Sequence, residues 1–169
     1  IVRPTSIWGP WFEHSYRTFF QTINRRLFFQ PGSKPIVKPI SFVGNTVYMM
    51  QNLLLHPENK VDKQTYYLAD YPEHSIQEWA DQIRNMMGRK GKTIVSPVPV
   101  LRLIAYIGDI LKKIGYRDPP LTTFRLENIL TGAHYPIEKT QINVGELPYS
   151  MKDGIRQTLE WMREEKLIN

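Results

Sequence analysis

Tyr135-Pro136-Ile137-Glu138-Lys139 places a phenol four residues ahead of an ammonium. On one face of a continuous helix, that spacing lets the ammonium lower the phenol pKa and ready it for proton transfer. Pro136 spoils the geometry, because the residue before a proline is pushed out of helical backbone. A turn followed by a surface lysine is therefore expected. The four histidines, His14, His56, His74 and His134, make no i, i+4 pair and have no acidic ligand at zinc spacing. The absence of cysteine removes disulfides and thiolate metal sites, so neither a metal centre nor a catalytic residue is assigned.

Phosphate chemistry is the other candidate. None of the ten glycines falls in a G-x-G-x-x-G fingerprint, and Gly88-x-x-Gly91 follows a predicted helix, so it reads as a helix end and loop. Arg89-Lys90-Gly91-Lys92 is the densest basic run. Such a run can meet a nucleic-acid backbone, but no aromatic residue interleaves to stack on bases, which favours a solvated loop. The 22 Lys+Arg against 16 Asp+Glu give a net +6, which favours anionic ligands without identifying one.

These residues need a frame. A chain of 169 residues with 41% hydrophobic and 12% aromatic content is long enough for one buried core. Its most apolar stretch, Val98 to Ile114, is broken by Arg102, Asp109, Lys112 and Lys113, so no membrane span is expected. The cysteine-free composition agrees with a reducing compartment, and a cytoplasmic location is expected. The opening Ile1-Val2-Arg3-Pro4 lacks the features of a signal peptide and reads as the tail of a buried strand.

Along the chain, the spacing predicts an aromatic-rich helix over 11–29, with Tyr16, Phe19, Phe20, Ile23 and Leu27 on one face. A Pro/Gly/Lys loop over 31–39 and a short strand at 40–43 follow, and then a helix starting at Asn45 with Val47, Met49, Met50, Leu53 and Leu54 on its apolar side. Thr65 to Ala69 reads as a strand ended by Asp70-Tyr71-Pro72. Ser75-Ile76-Gln77-Glu78 is a capping box opening a helix that Gly88 stops. A strand within 92–97 and helices at 100–114, 122–131 and 150–165 complete the set, the last opened by Ser150 with Asp153 three residues on.

Taken in order, several segments resemble the C-terminal half of extended short-chain dehydrogenases/reductases of the sugar-nucleotide epimerase/dehydratase kind. Ile1-Val2-Arg3-Pro4-Thr5-Ser6-Ile7-Trp8-Gly9-Pro10 is similar to that family's strand and loop beneath the nicotinamide. Ser41 to Val47 resembles a downstream motif of that family, and Thr65 to Asp70 resembles the strand that follows it. Pro119-Pro120-Leu121-Thr122 with Arg125, then Gly145 through Ser150, Gly154-Ile155 and Trp161, resemble its end. The resemblance covers essentially the whole chain. Four positions depart from the family pattern: Ser6 replaces an Asn, Trp8 a Tyr, Lys38 an Arg and Asn45 an Asp, the last expected close to Lys38.

The resemblance implies an α/β fold, the helix-rich substrate-binding half of an extended Rossmann-type enzyme, with short strands and one remnant strand of a missing parallel sheet. Residues 1–10 would be the last strand and loop of the Rossmann half, and 11–169 the substrate-binding region. It implies NAD or NADP in the parent enzyme, bordered by Pro4, Thr5 and Ser6, but none bound by this chain alone. It further implies a nucleotide-sugar or related diphospho-sugar held by Ser6, Trp8, Lys38, Asn45 and Arg125, with Lys38 and Arg125 on the diphosphate. The catalytic Tyr/Lys pair and the glycine fingerprint would lie in the missing half, and a severed edge strand invites a homo-oligomer. A second reading stays open: a non-catalytic binding or scaffold domain, with its basic loops on nucleic acid.

Overall fold

The computed structural model describes residues 1–12, 15–57, 61, 63–89, 91, 93–117, 119 and 121–168. His14, Lys90, Lys92 and Pro120 lie outside the described residues. Among the described residues, six short strands form three parallel pairs. These are β1 (Val2–Pro4) with β5 (Tyr66–Leu68), β2 (Ser6–Trp8) with β4 (Ile40–Phe42), and β3 (Phe29–Pro31) with β6 (Ile94–Ser96). Around them lie α1 (Ser15–Asn24), α2 (Val43–Leu55), α3 (Ile76–Met86), α4 (Val98–Lys113), α5 (Thr123–Leu130), α6 (Glu138–Val144) and α7 (Met151–Glu164). Parallel pairs need long crossovers, which these helices supply.

The largest core gathers Trp8, Phe20, Phe42 and Trp79 with Ile23, Ile83, Ile155 and Met162. Trp8 stands at its centre, 5.0 Å from the Trp79 ring and 5.2 Å from Phe42. α7 reaches these rings through Gly154, where an added Cβ would stand 2.8 Å from both Trp8 and Phe42. A second core joins Met49 and Leu53 of α2 to Tyr66, Leu68 and Val144.

Local signals held where they were chemical. Both capping boxes form: Ser75 Oγ accepts from Glu78 N while the Glu78 carboxylate accepts from Ser75 N, and Ser150 and Asp153 do the same for α7. The limits predicted for α5 and α7 agree to within a residue.

Elsewhere the structure corrects the sequence. The first helix ends at Asn24, because Arg26 takes a left-handed conformation (φ 59°) that turns the chain out. Leu27 is consequently exposed, and Phe29–Pro31 is a strand rather than helix and loop. The α2 helix begins at Val43 with Phe42 as its N-cap, so Asn45 lies inside its first turn. Its buried face is Asn45, Thr46, Met49 and Leu53, leaving Val47 and Leu54 in solvent. β1 does not stand alone: Val2, Arg3 and Pro4 register with Tyr66, Tyr67 and Leu68.

Candidate functional site

The chain changes sheets at Thr5. β1 runs beside β5 and β2 beside β4, so the single residue between them carries the backbone across. Both Thr5 N and Thr5 Oγ1 donate to Leu68 O, at 3.1 and 2.8 Å, which pins the crossing to the carboxyl end of β5. Ser6 N then donates to Pro39 O at 3.4 Å, beside Lys38. In open α/β sheets ligands settle at the carboxyl ends of strands where the connections diverge. Pro4 and Ser6 are exposed here, and Thr5 is half-buried.

Asp70 fastens the same end of the sheets from inside. Its carboxylate accepts from Phe42 N (2.9 Å), Asn45 Nδ2 (3.0 Å) and Ser41 Oγ (3.3 Å), and its own N–H donates to Ile40 O. Burial pushes its pKa up from the ordinary 3.8 to about 6, against the pull of those three donors. This half-buried carboxylate, beside an uncharged amide, joins β5 to β4 and α2.

The residues nominated from sequence divide into two groups. Trp8 has no exposed surface, and its ring belongs to the core. Asn45 is also buried; its amide bonds Asp70, donates to Tyr149 O (2.9 Å) and accepts from Tyr149 N (3.1 Å), clamping the segment before α7. The side-chain bonds of Asn45 thus run to Asp70 and Tyr149, whereas Lys38 turns to α5. There the Lys38 ammonium donates to Asn128 O, and desolvation lowers its pKa. Arg125 sits in the first turn of α5, where its Nη1 donates to Pro119 O at 2.7 Å. One short helix thus gathers both cations proposed for a diphosphate. Ser6 also meets the Tyr16 phenol, whose pKa is raised by burial and held back by that contact.

Tyr135 and Lys139 do not form a proton-transfer pair. Tyr135 precedes α6 and stacks on Tyr67 at 4.8 Å, while Lys139 within α6 donates to Gln64 Oε1. His134 Nδ1 lies 3.1 Å from Glu73 Oε2 beside a surface depression of about 480 Å³ lined by Tyr71, Pro72, Tyr135 and Gln141. A second depression is lined by Val43, Gly44, Val47, Tyr48, Gln51, Pro148 and Tyr149. Neither includes Ser6, Lys38 or Arg125 in its lining. Among the described residues no group of three potential ligands is placed to hold a metal ion, and no helix is long and apolar enough to cross a membrane.

Sequence reasoning missed Asp70 as a site-forming group, although a lone carboxylate directly after a strand was a usable signal. It also missed Tyr149, which contributes backbone rather than side chain to the clamp.

No protein-family profile matches the chain. It is 22% identical over 165 residues to N-acetyl-alpha-D-glucosaminyl-diphospho-ditrans,octacis-undecaprenol 4-epimerase of Escherichia coli O157:H7, across 95% of this chain and 48% of that protein. Among solved structures, the protein gox2253 superposes with a TM-score of 0.67 at 14% identity, over 100% of this chain and 50% of its own. UDP-glucuronic acid 4-epimerase from Bacillus cereus in complex with NAD gives 0.62 at 11% identity, over 98% of this chain and 44% of its own. The chain therefore spans about half the length of each of these three relatives.

Proposed function

We propose that this chain, which shares its fold with about half the length of epimerases of the extended short-chain dehydrogenase/reductase kind, is the C-terminal, substrate-binding part of an NAD(P)-dependent epimerase or dehydratase. The substrate class is a nucleotide-sugar or another diphospho-sugar. A diphosphate on a polyprenol carrier, as in the name of the Escherichia coli relative, falls within that class.

The observation that carries the reading is the Thr5 crossing, with Lys38 reached from Pro39 just beyond it and Arg125 on the helix that Lys38 bonds. Arg125 grips the diphosphate through its guanidinium, whose five N–H donors can serve a ligand and the Pro119 carbonyl at once. Lys38, half-buried, adds a point charge at the other end of α5. Ser6 offers a hydroxyl to the sugar from the exposed end of β2. Pro4 and Thr5 give the nicotinamide an uncharged backbone rim: Thr5 has both donors committed to Leu68, and Pro4 has no N–H. Pro4 and Thr5 would border such a nicotinamide, whose chemistry would be reversible hydride exchange with a sugar carbon.

Proton transfer is assigned to the half that this chain lacks, because Tyr135 stands outside the helix that holds Lys139. The test is calorimetric titration of the isolated chain with NAD and NADP. No binding heat at micromolar cofactor is expected, and micromolar affinity would contradict the division of labour between the two halves.

A further inference from the structure

α4 is turned inside out relative to an ordinary surface helix. Its inward face is narrow and small, consisting of Leu101, Ala105 and Gly108. Gly108 sets that orientation: a Cβ there would stand 1.8 Å from Leu121 O, so only glycine lets α4 lie this close to the segment leading into α5. The bulky residues are consequently outside. Val100, Leu103, Ile104, Ile107, Ile110 and Ile114 are all exposed, from 43% at Ile104 to 74% at Ile114. At 100° per residue these positions fall on one broad face of the helix. α5 is the chief packing partner of α4.

We propose that this face docks on an anionic lipid surface, with α4 lying in the plane of the membrane interface. Its composition is that of an interfacial helix: a broad aliphatic face flanked by the exposed Tyr106, with cations gathered at its carboxyl end beside the exposed Tyr116. At 16 residues it is too short to span a bilayer. Charge complementarity selects the occupant. Lys112, Lys113 and Arg117 are exposed at its carboxyl end, whereas Arg102 towards its start pairs with Glu127 of α5 at 3.5 Å. The one carboxylate of the helix, Asp109, is turned away to accept from Thr123 N and Thr123 Oγ1. The docking follows from the helix itself. A lipid-carried member of the diphospho-sugar class proposed above would give it a use.

The test is flotation of the full-length protein with vesicles of equal parts phosphatidylcholine and phosphatidylglycerol, with pure phosphatidylcholine as the second arm. Binding to the anionic vesicles, weakened by salt, is expected, and Leu103→Asp with Ile107→Asp should lower partitioning roughly tenfold or more. Lys112→Glu with Lys113→Glu is a second variant that leaves the apolar face intact; it should reduce binding to the anionic vesicles alone. Thermal melts verify that each variant is folded, which the exposure of the substituted side chains favours. Failure of the wild type to float overturns the docking, as does equal flotation of the variants. So does protection of Leu103 and Ile107 from chemical labelling without lipid, or a dimer that only the aspartate variant dissolves. Binding of a soluble diphospho-sugar is measured separately: its loss would sink the proposed function and leave the docking standing.

Discussion

Asn45 donates to the half-buried Asp70 carboxylate at 3.0 Å, so an uncharged amide stands where the resembled family has a second acid. Two carboxylates at that separation in a buried site would repel, and one would have to keep its proton. Asn45→Asp is therefore expected to destabilise the fold at neutral pH by about 3 kcal/mol, the order seen when a buried charge loses its compensation. The loss of the Nδ2 donor to Tyr149 O adds to the damage. Denaturant titration at pH 7 and again near pH 5 checks this, and the deficit should shrink in acid.

Asp70 also predicts a pH profile. Its folded pKa of about 6 lies above the ordinary 3.8, so the folded chain binds more protons than the unfolded chain between those values. The stability this group contributes is fully present below the lower value and is lost as pH rises through the upper one, an amount of roughly 3 kcal/mol. In Asp70→Asn, that component of the falling stability should vanish from denaturant curves recorded across the window.

Gly108→Ala tests how α4 is seated. A methyl group cannot occupy a point 1.8 Å from Leu121 O, so α4 and the segment before α5 must separate. The gain in helix propensity is about 1 kcal/mol, and overpacking of this severity costs about 3 kcal/mol, so net destabilisation is expected. The same substitution at Gly115, which has nothing within 4 Å but a φ of 97°, should cost less, because only its left-handed backbone is strained. Thermal unfolding of the two variants separates the effects.

The two capping boxes were legible because each is complete within four residues: the hydroxyl, the carboxylate and both backbone groups are encoded side by side. Ser75→Ala and Ser150→Ala should each cost about 1 kcal/mol, and the double variant should cost the sum, because the boxes open different helices. Chemical denaturation of the three variants is the measurement.

What stayed hidden depends on partners distant in sequence. The sequence shows a ring at Trp8 but not which side of a three-residue strand it takes; the core of Phe20, Phe42 and Trp79 decides that. Asp70 reads as a strand terminator, yet its donors come from residues 25 to 29 positions earlier. α6 lacks a side-chain cap, and Pro136 just before it reads as a breaker, so the helix left no local signal. The periodicity of α4 showed an amphipathic helix, but the choice of inward face was made by Gly108 against Leu121. Lys38 and Arg125 are nominated by resemblance, whereas their convergence on α5 appears only in the fold.

The most direct test of the account is steady-state kinetics with cofactor titration on Arg125 variants of the full-length protein. Charge-assisted hydrogen bonds of a guanidinium to phosphate oxygens contribute about 1.5–3 kcal/mol each. Arg125→Ala should therefore raise KM for the diphospho-sugar roughly tenfold to a hundredfold and leave NAD(P) affinity nearly unchanged. Arg125→Lys should recover only part of the loss, since an ammonium cannot make the forked contact. Thermal melts of both variants account for the bond to Pro119 O, which either substitution disturbs. Unchanged diphospho-sugar kinetics in a folded Arg125→Ala enzyme would contradict the account and return Arg125 to the role of holding the Pro119 loop against α5.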